Sequence, residues 1–221
     1  MKYLLYVFTT AVIVLILLLG CRTIADIVRP TERIACIGTS ITEGYTLPGE
    51  QTYPVLLQNL VTSPDKVLNF GVGGTCMLKK SDIPYWQAQK YQFALDWKPT
   101  VLIVEFGAND SKAQNWQYKA EFKQDYLALI DSFKKLSSSP KIYLCTPPPA
   151  FASNTFGVQP EVIDNEIVPI VKEIAQETGS TVIDLHTLMQ GQTGWFLDGL
   201  HPNAIGTIKI SEEVNRVISG K

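Results

Sequence analysis

Ser40, Asp198 and His201 are the residues of this chain whose types and spacing could carry out covalent chemistry. A serine hydroxyl near neutral pH is a poor nucleophile until a positioned base takes its proton, and histidine is the side chain best suited to that task. The chain offers His186 and His201. His201 ends the run Asp198-Gly199-Leu200-His201 and is followed by Pro202. One turn brings the Asp198 carboxylate to the imidazole Nδ1 and fixes its tautomer. The proline disfavours helix at 201 and keeps the segment a loop able to reach across a crevice. His186 follows an apolar run with Asp184 two residues earlier, and on a strand those two side chains would share a face. His201 is the preferred base, and His186 is read as structural or merely near the site.

Attack on a carbonyl also requires donors for the oxyanion that forms, each commonly worth about 10²–10³ in rate. Two segments can supply them: Gly71-Val72-Gly73-Gly74-Thr75 and Gly107-Ala108-Asn109-Asp110. Gly74 presents its backbone N–H with no Cβ in the way, Asn109 adds a side-chain amide, and the Ser40 N–H is a third donor. Asp110 is expected to shape its loop by local hydrogen bonds. Together these groups are the parts of an acyl-transfer site.

Elements that must position them are legible in the hydrophobic pattern. Five short apolar or β-branched runs cover residues 33–37, 66–70, 100–106, 141–145 and 181–185, with helical patterns between them. That alternation predicts a parallel sheet covered on both faces by helices. Phe122, Tyr126, Leu129, Ile130 and Phe133 recur at helical spacing, so their aromatics are core. A second helix is predicted over 162–178, with Gly179 as its terminator; Pro169 implies a kink or a later true start. Asn203 can cap a last helix carrying Ile208, Ile210, Val214 and Val217. Pro147-Pro148-Pro149 marks a stiff loop. Open α/β sheets bind ligands beyond the carboxyl ends of their strands, where Ser40, Gly74, Asn109 and His201 would all converge.

In their order and content these blocks resemble the SGNH hydrolase superfamily, also called GDSL esterases and lipases, over residues 33–218. Gly38-Thr39-Ser40 stands at the Gly-Asp-Ser block, Gly74 at the second-block glycine, Asn109 at the Gly-x-Asn-Asp asparagine, and Asp198 with His201 at the Asp-x-x-His block. The resemblance implies an α/β fold, a three-layer α/β/α sandwich with a mostly parallel five-stranded, flavodoxin-like sheet. It also implies a Ser40–His201–Asp198 triad, an oxyanion hole of Ser40, Gly74 and Asn109, and no metal or other cofactor. Thr39 departs from the family's usual aspartate, which leaves the hydrogen bonding around the serine turn open.

Aromatic residues in the connections after the first three runs, Tyr45, Tyr53, Tyr85, Trp86 and Trp116, are candidates for stacking on sugar rings. The segments Pro84-Tyr85-Trp86 and Asn109-Asp110-Ser111-Lys112, with Asn115-Trp116, resemble members described as carbohydrate or sialate O-acetylesterases. Removal of acetyl groups from glycans is therefore the first expectation. A lysophospholipase or acyl-thioesterase at a membrane surface, transfer of the acyl group to another sugar, and a glycan-binding protein with a decayed site are the alternatives.

Composition narrows the setting. The 221 residues are 46% hydrophobic and 18% charged, enough for one domain with a sizeable core, and a formal net charge of -2 leaves no basic surface for nucleic acid. Residues 1–21 read as an export signal: Lys2, an apolar run, then Gly20-Cys21. The ending Leu18-Leu19-Gly20-Cys21 resembles the lipobox of bacterial lipoproteins, which makes Cys21 the expected lipidation site. A retained anchor would be short, since ~17 helical residues cover about 25 Å of a bilayer core of roughly 30 Å. The expected organisation is a leader over 1–21, a tether over 22–31 and a hydrolase domain over 32–221, exported to the cell envelope and held on a membrane. Cys36 and Cys145 lie in strand-like runs and are read as core, Cys76 is the cysteine to watch for exposure, and a disulfide between two of the three is left open.

Overall fold

Strand β1 (Arg33–Gly38) is nearly all β-branched or small and buried on both faces, as the central strand of a parallel sheet must be. Around it the computed structural model, which describes residues 31–220, arranges β2 (Lys66–Asn69), β3 (Val101–Glu105), β4 (Lys141–Cys145) and β5 (Thr181–Ile183) in the order β2-β1-β3-β4-β5. Every pairing is parallel, so the sheet is wholly rather than mostly parallel. The leader, Cys21 and nearly all of the 22–31 tether lie outside the described residues. Among those described, no helix is long and apolar enough to cross a membrane.

Alternation along the strands divides the core in two. Ala35, Ile37, Leu102, Val104, Ile142 and Leu144 face one layer, while Ile34, Cys36, Val101, Ile103, Tyr143 and Cys145 face the other. Helices α1 (Ser40–Glu43), α2 (Tyr53–Leu60), α3 (Gln89–Trp97), α4 (Ala113–Trp116), α5 (Lys119–Lys134), α6 (Val168–Thr178), α7 (Leu185–Met189) and α8 (Ala204–Ile218) supply the covering layers. Ala94 of α3, Phe122, Tyr126, Leu129 and Phe133 of α5, and Val171 and Ile174 of α6 pack on the first face. Leu57 of α2, Leu185 and Met189 of α7, and Ile210 and Val214 of α8 pack on the second. The result is the three-layer α/β/α sandwich.

Pro169 lies in the first turn of α6, but the chain is already helical before it. The preceding residues, Ile163–Ile167, form a π segment, so the periodic pattern from 162 is real but the regular α-helix starts later. Gly179 closes α6 at φ 68°, and the Asn203 side chain caps α8 by accepting the Ile205 and Gly206 N–H groups.

Chain order reverses at β1. The chain passes outward from β1 to β2, then crosses back to β3 on the other side of β1, opening a crevice between the carboxyl ends of β1 and β3. Gly38 and Glu105 are partners at those ends, so the loops carrying Ser40 and Asn109 leave the sheet side by side.

Candidate active site

At the end of β1 the chain must turn sharply into α1, and Thr39 makes that turn. It stays extended at φ -89°, and its hydroxyl accepts the Ile41 N–H, capping the single helical turn that opens on Ser40. Gly44 ends the turn at φ 91° and donates its N–H to the Ser40 carbonyl. Beneath the turn lies Glu105, the last residue of β3 and fully buried. Its Oε2 accepts the Thr39 hydroxyl at 2.8 Å, the Thr39 N–H at 3.3 Å and the Thr42 hydroxyl at 3.3 Å, whereas Oε1 has no hydrogen-bond partner among the described residues. Burial, only partly offset by these bonds, pushes the Glu105 carboxyl up to about 7. The hydrogen bonding left open by the threonine at 39 is thus completed from the neighbouring strand.

Ser40 Oγ lies 3.0 Å from His201 Nε2, and His201 Nδ1 lies 2.8 Å from Asp198 Oδ2. Asp198 Oδ1 accepts the His201 N–H at 2.8 Å and the Leu200 N–H at 3.0 Å, which fixes the carboxylate relative to the ring it faces. Burial raises the Asp198 carboxyl, but the bonds from the His201 N–H, the His201 ring and the Leu200 N–H outweigh it and hold the group below its ordinary range. The ring of His201 is clamped by Tyr45, with centroids 4.3 Å apart, and by Phe156 edge-on at 4.8 Å.

On the opposite wall, Gly74 adopts φ 78°, a left-handed conformation that favours glycine. The backbone N–H groups of Ser40 and Gly74 donate to no acceptor among the described residues. Asn109 spends one amide hydrogen on the Thr75 carbonyl at 3.1 Å and keeps the other for the pocket. Asn115 in turn donates to the Asn109 carbonyl at 3.0 Å. Ser40, Gly74 and Asn109 thus bring three N–H groups to the cavity that also holds the Ser40 hydroxyl and His201. Asp110 is buried under this wall, where its carboxylate accepts the Met77 and Leu78 N–H groups at 3.1 and 2.8 Å and shapes the loop as expected. Burial raises it to about 6.

A cavity of about 330 Å³ opens on these groups, lined by Ser40, Gly74, Asn109, His201, Tyr45 and Phe156, with Glu43, Gly73, Lys112 and Leu200 completing it. The sequence reading missed Glu43 and Phe156, and quoted Lys112 only as part of the Asn109-Asp110-Ser111-Lys112 segment. Glu43 had a usable signal, since it lies three residues after Ser40 on the same helical turn. It accepts the Gly73 N–H at 3.0 Å. Phe156 had only its place in the loop after β4.

Four of the five proposed sugar-stacking residues are elsewhere. Tyr85 is fully buried, donating its hydroxyl to the Phe70 carbonyl and packing on Phe106, and Trp116 is buried against Phe122. Tyr53 is also core. Trp86 is half-buried, with its indole N–H bonded to the Met77 carbonyl and Lys79 over its ring. Of the five aromatics only Tyr45 lines the cavity. A large ring in a connection satisfies the hydrophobic effect as readily by folding inward as by facing a ligand.

His186 lies outside the cavity lining, but the strand that would have put it on one face with Asp184 is corrected. Its residues do not extend β5 but form α7, which the Asp184 side chain caps by accepting the Thr187 N–H. Asp184 also binds Lys172 and Thr146, while His186 Nε2 pairs with Asp164 at 2.8 Å. All three described cysteines are buried and free: Cys76, the one to watch for exposure, is sealed among Asn115 and Asp82, and no disulfide joins it to Cys36 or Cys145. Among the described residues no group of histidine, cysteine, aspartate or glutamate side chains could hold a metal ion.

Comparison with known proteins points the same way as the geometry. An acetylxylan esterase of Xylanibacter ruminicola is 38% identical over 206 residues, 84% of this chain and 43% of that protein. The rice (Oryza sativa subsp. japonica) GDSL esterase/lipase WDL1 is 27% identical over 140 residues, covering 55% of this chain and 54% of its own. The chain thus spans about half the length of these relatives. The crystal structure of a lipase/acylhydrolase from Enterococcus faecalis superposes with a TM-score of 0.71 at 25% identity, covering 86% of this chain and 96% of the other. Residues 36–207, the stretch that holds the serine turn, both donor loops and the Asp198–His201 pair, match the GDSL-like Lipase/Acylhydrolase family, and the chain belongs to that family.

Proposed function

We propose that this protein is a serine esterase that removes small acyl groups, acetyl first among them, from carbohydrates. The observation that carries the reading is the continuous hydrogen-bonded series Ser40–His201–Asp198 facing donors from Ser40, Gly74 and Asn109 across one small cavity. In the reaction His201 Nε2 takes the proton as Ser40 Oγ bonds to the ester carbonyl carbon. Asp198 stabilises the imidazolium through Nδ1–H, and the three N–H donors receive the oxyanion. As the acyl carbon–oxygen bond breaks, His201 gives that proton to the departing sugar oxygen, which leaves as a hydroxyl. Water, deprotonated by the same ring, attacks the acyl-enzyme and releases the acid with Ser40 restored.

The acetyl and carbohydrate preferences are both supported by likeness to a protein named acetylxylan esterase. The leader over residues 1–21 and its terminal Gly20-Cys21 support an exported, lipid-anchored enzyme at the cell envelope.

The test is hydrolysis of p-nitrophenyl esters from acetate to decanoate beside acetylated xylan, with Ser40→Ala as control. A Ser40-dependent rate that peaks at acetate, with acetate released from the polymer, is expected. A peak at decanoate overturns the small-acyl reading, and no turnover of any ester overturns the enzyme reading. Incorporation of labelled palmitate that is lost in Cys21→Ala tests the anchor.

A further inference from the structure

Behind the catalytic loop lies a second cavity of about 320 Å³, as large as the one at Ser40 and at the lower end of the roughly 300–1,000 Å³ typical of small-molecule sites. Its floor is aromatic: Phe151 and Phe196 meet edge to face with centroids 5.0 Å apart. Hydroxyls of Ser153, Thr155 and Thr193 stand around it, with Leu197 half exposed beside them. All three of those residues are exposed, and their hydroxyls have no hydrogen-bond partner among the described residues, which leaves them open to water or to a ligand.

The cavity is held open by fixed geometry. Phe151 donates its N–H to the Gly199 carbonyl at 2.8 Å, and Gly199, at φ 81°, approaches so closely that a Cβ there would fall 2.4 Å from Ser153 Oγ. Asn154 braces the same loop by donating to the Phe151 and Val158 carbonyls. The two cavities share their partition. Thr155 faces one and Phe156 the other, while Leu197 and Asp198 border the second just before Leu200 and His201 border the first.

No lysine or arginine lines the second cavity, and its single carboxylate, Asp198, is already taken by His201 and Leu200. An anion would find no countercharge here. A purely aliphatic chain would leave three hydroxyls without partners, at a cost. A neutral ring with an apolar face and hydroxyls on its edge satisfies both features, since its C–H face covers Phe151 and Leu197 while its hydroxyls meet Ser153, Thr155 and Thr193.

Resting on the acetyl-glycan reading, we propose that this groove is a sugar subsite. It takes a neutral pyranose unit of the same chain whose acetylated unit is presented to Ser40. The enzyme then acts best on oligomers and polymers, because each neighbouring unit seated in the groove adds binding to that at the reacting sugar.

The experiment compares kcat/KM of the full-length chain on singly acetylated xylose, xylobiose, xylotriose and xylotetraose, with p-nitrophenyl acetate alongside. The comparison is repeated for a Ser153→Ala/Thr155→Val/Thr193→Val variant and for Thr155→Val and Thr193→Val singly. The native chain is expected to gain on the order of tenfold with length, the worth of one or two hydrogen bonds, and the triple variant to lose that gain. If the triple variant does not fold, the single variants must each diminish it. A native enzyme that deacetylates xylose but shows no gain with length overturns the subsite alone, as does a gain that survives in a folded triple variant. Turnover of p-nitrophenyl acetate with none of any acetylated sugar overturns the glycan reading and the subsite together.

Discussion

The Glu43 carboxylate accepts the Gly73 amide hydrogen at 3.0 Å, tying the turn that carries Ser40 to the loop that carries Gly74. Ser40 and Gly74, the proposed nucleophile and oxyanion donor, are thereby held at a fixed separation by a side chain with no part in the proposed bond making. Glu43→Ala is expected to lower kcat for p-nitrophenyl acetate by about tenfold, the scale of one charge-assisted hydrogen bond, with KM changed less. Glu43→Gln keeps an acceptor and should recover most of the rate. Equal loss in both variants would show that charge in the pocket, rather than the tie, is what matters.

Gly71 makes the same junction sensitive to bulk. A Cβ there would lie 2.4 Å from the Glu43 backbone nitrogen and 2.7 Å from the Thr42 carbonyl carbon. Backbone cannot yield as a side-chain tip can, so Gly71→Ala should cost about 1–3 kcal/mol of stability or more. Activity should fall further than the folded fraction does. Thermal denaturation and kcat measured on the same preparation check both.

Removing the groups of the hydrogen-bonded series should be non-additive. Ser40→Ala and His201→Ala are each expected to reduce kcat by on the order of 10⁶, Asp198→Asn by about 10⁴, and the double variant Ser40→Ala/His201→Ala by no more than either alone. Asn109→Ala should cost about 10²–10³ in kcat with little change in KM. Products of the single-variant losses in the double variant would argue that Ser40 and His201 do not act as one unit.

Glu105 gives a pH signature. Its folded carboxyl is raised by burial to about 7, above its unfolded value, so between those limits the folded state binds the extra proton. Its contribution therefore favours folding at low pH and is lost as pH rises towards and through 7. Glu105→Gln removes that dependence. The stability of the variant relative to the native chain should rise by on the order of 3 kcal/mol between about pH 5 and pH 8, read by urea denaturation at each pH. A difference that stays flat with pH would mean Glu105 keeps an ordinary carboxyl.

Local motifs were legible because their chemistry depends on residues close in sequence. Asp198 and His201 are one turn apart, Gly74 must take a left-handed conformation, and Asn203 had only to precede a helix to cap it. Strand runs were readable because burial on both faces leaves continuous apolar stretches. Tyr85 and Trp116 were misplaced because nothing local distinguishes an aromatic that lies over a ligand from one that folds into a core. His186 was misplaced because Asp184 ends β5 early by capping a helix. Glu105, the partner of Thr39 across 66 residues, and Phe156, which meets His201 from the loop after β4, acquire their roles only when distant strands align.

Ser40 and His201 are 161 residues apart, one at the start of the domain and the other in the loop before its last helix. The pair forms only after β1 has entered the sheet and α8 has closed over it, among the most non-local contacts the topology allows and therefore costly in loop-closure entropy. Reactivity at Ser40, the proposed nucleophile, is therefore expected to report completed folding. A serine-directed fluorophosphonate should count native molecules in a mixed preparation, and a chain truncated before residue 198 should stay unlabelled even if it kept most of its sheet.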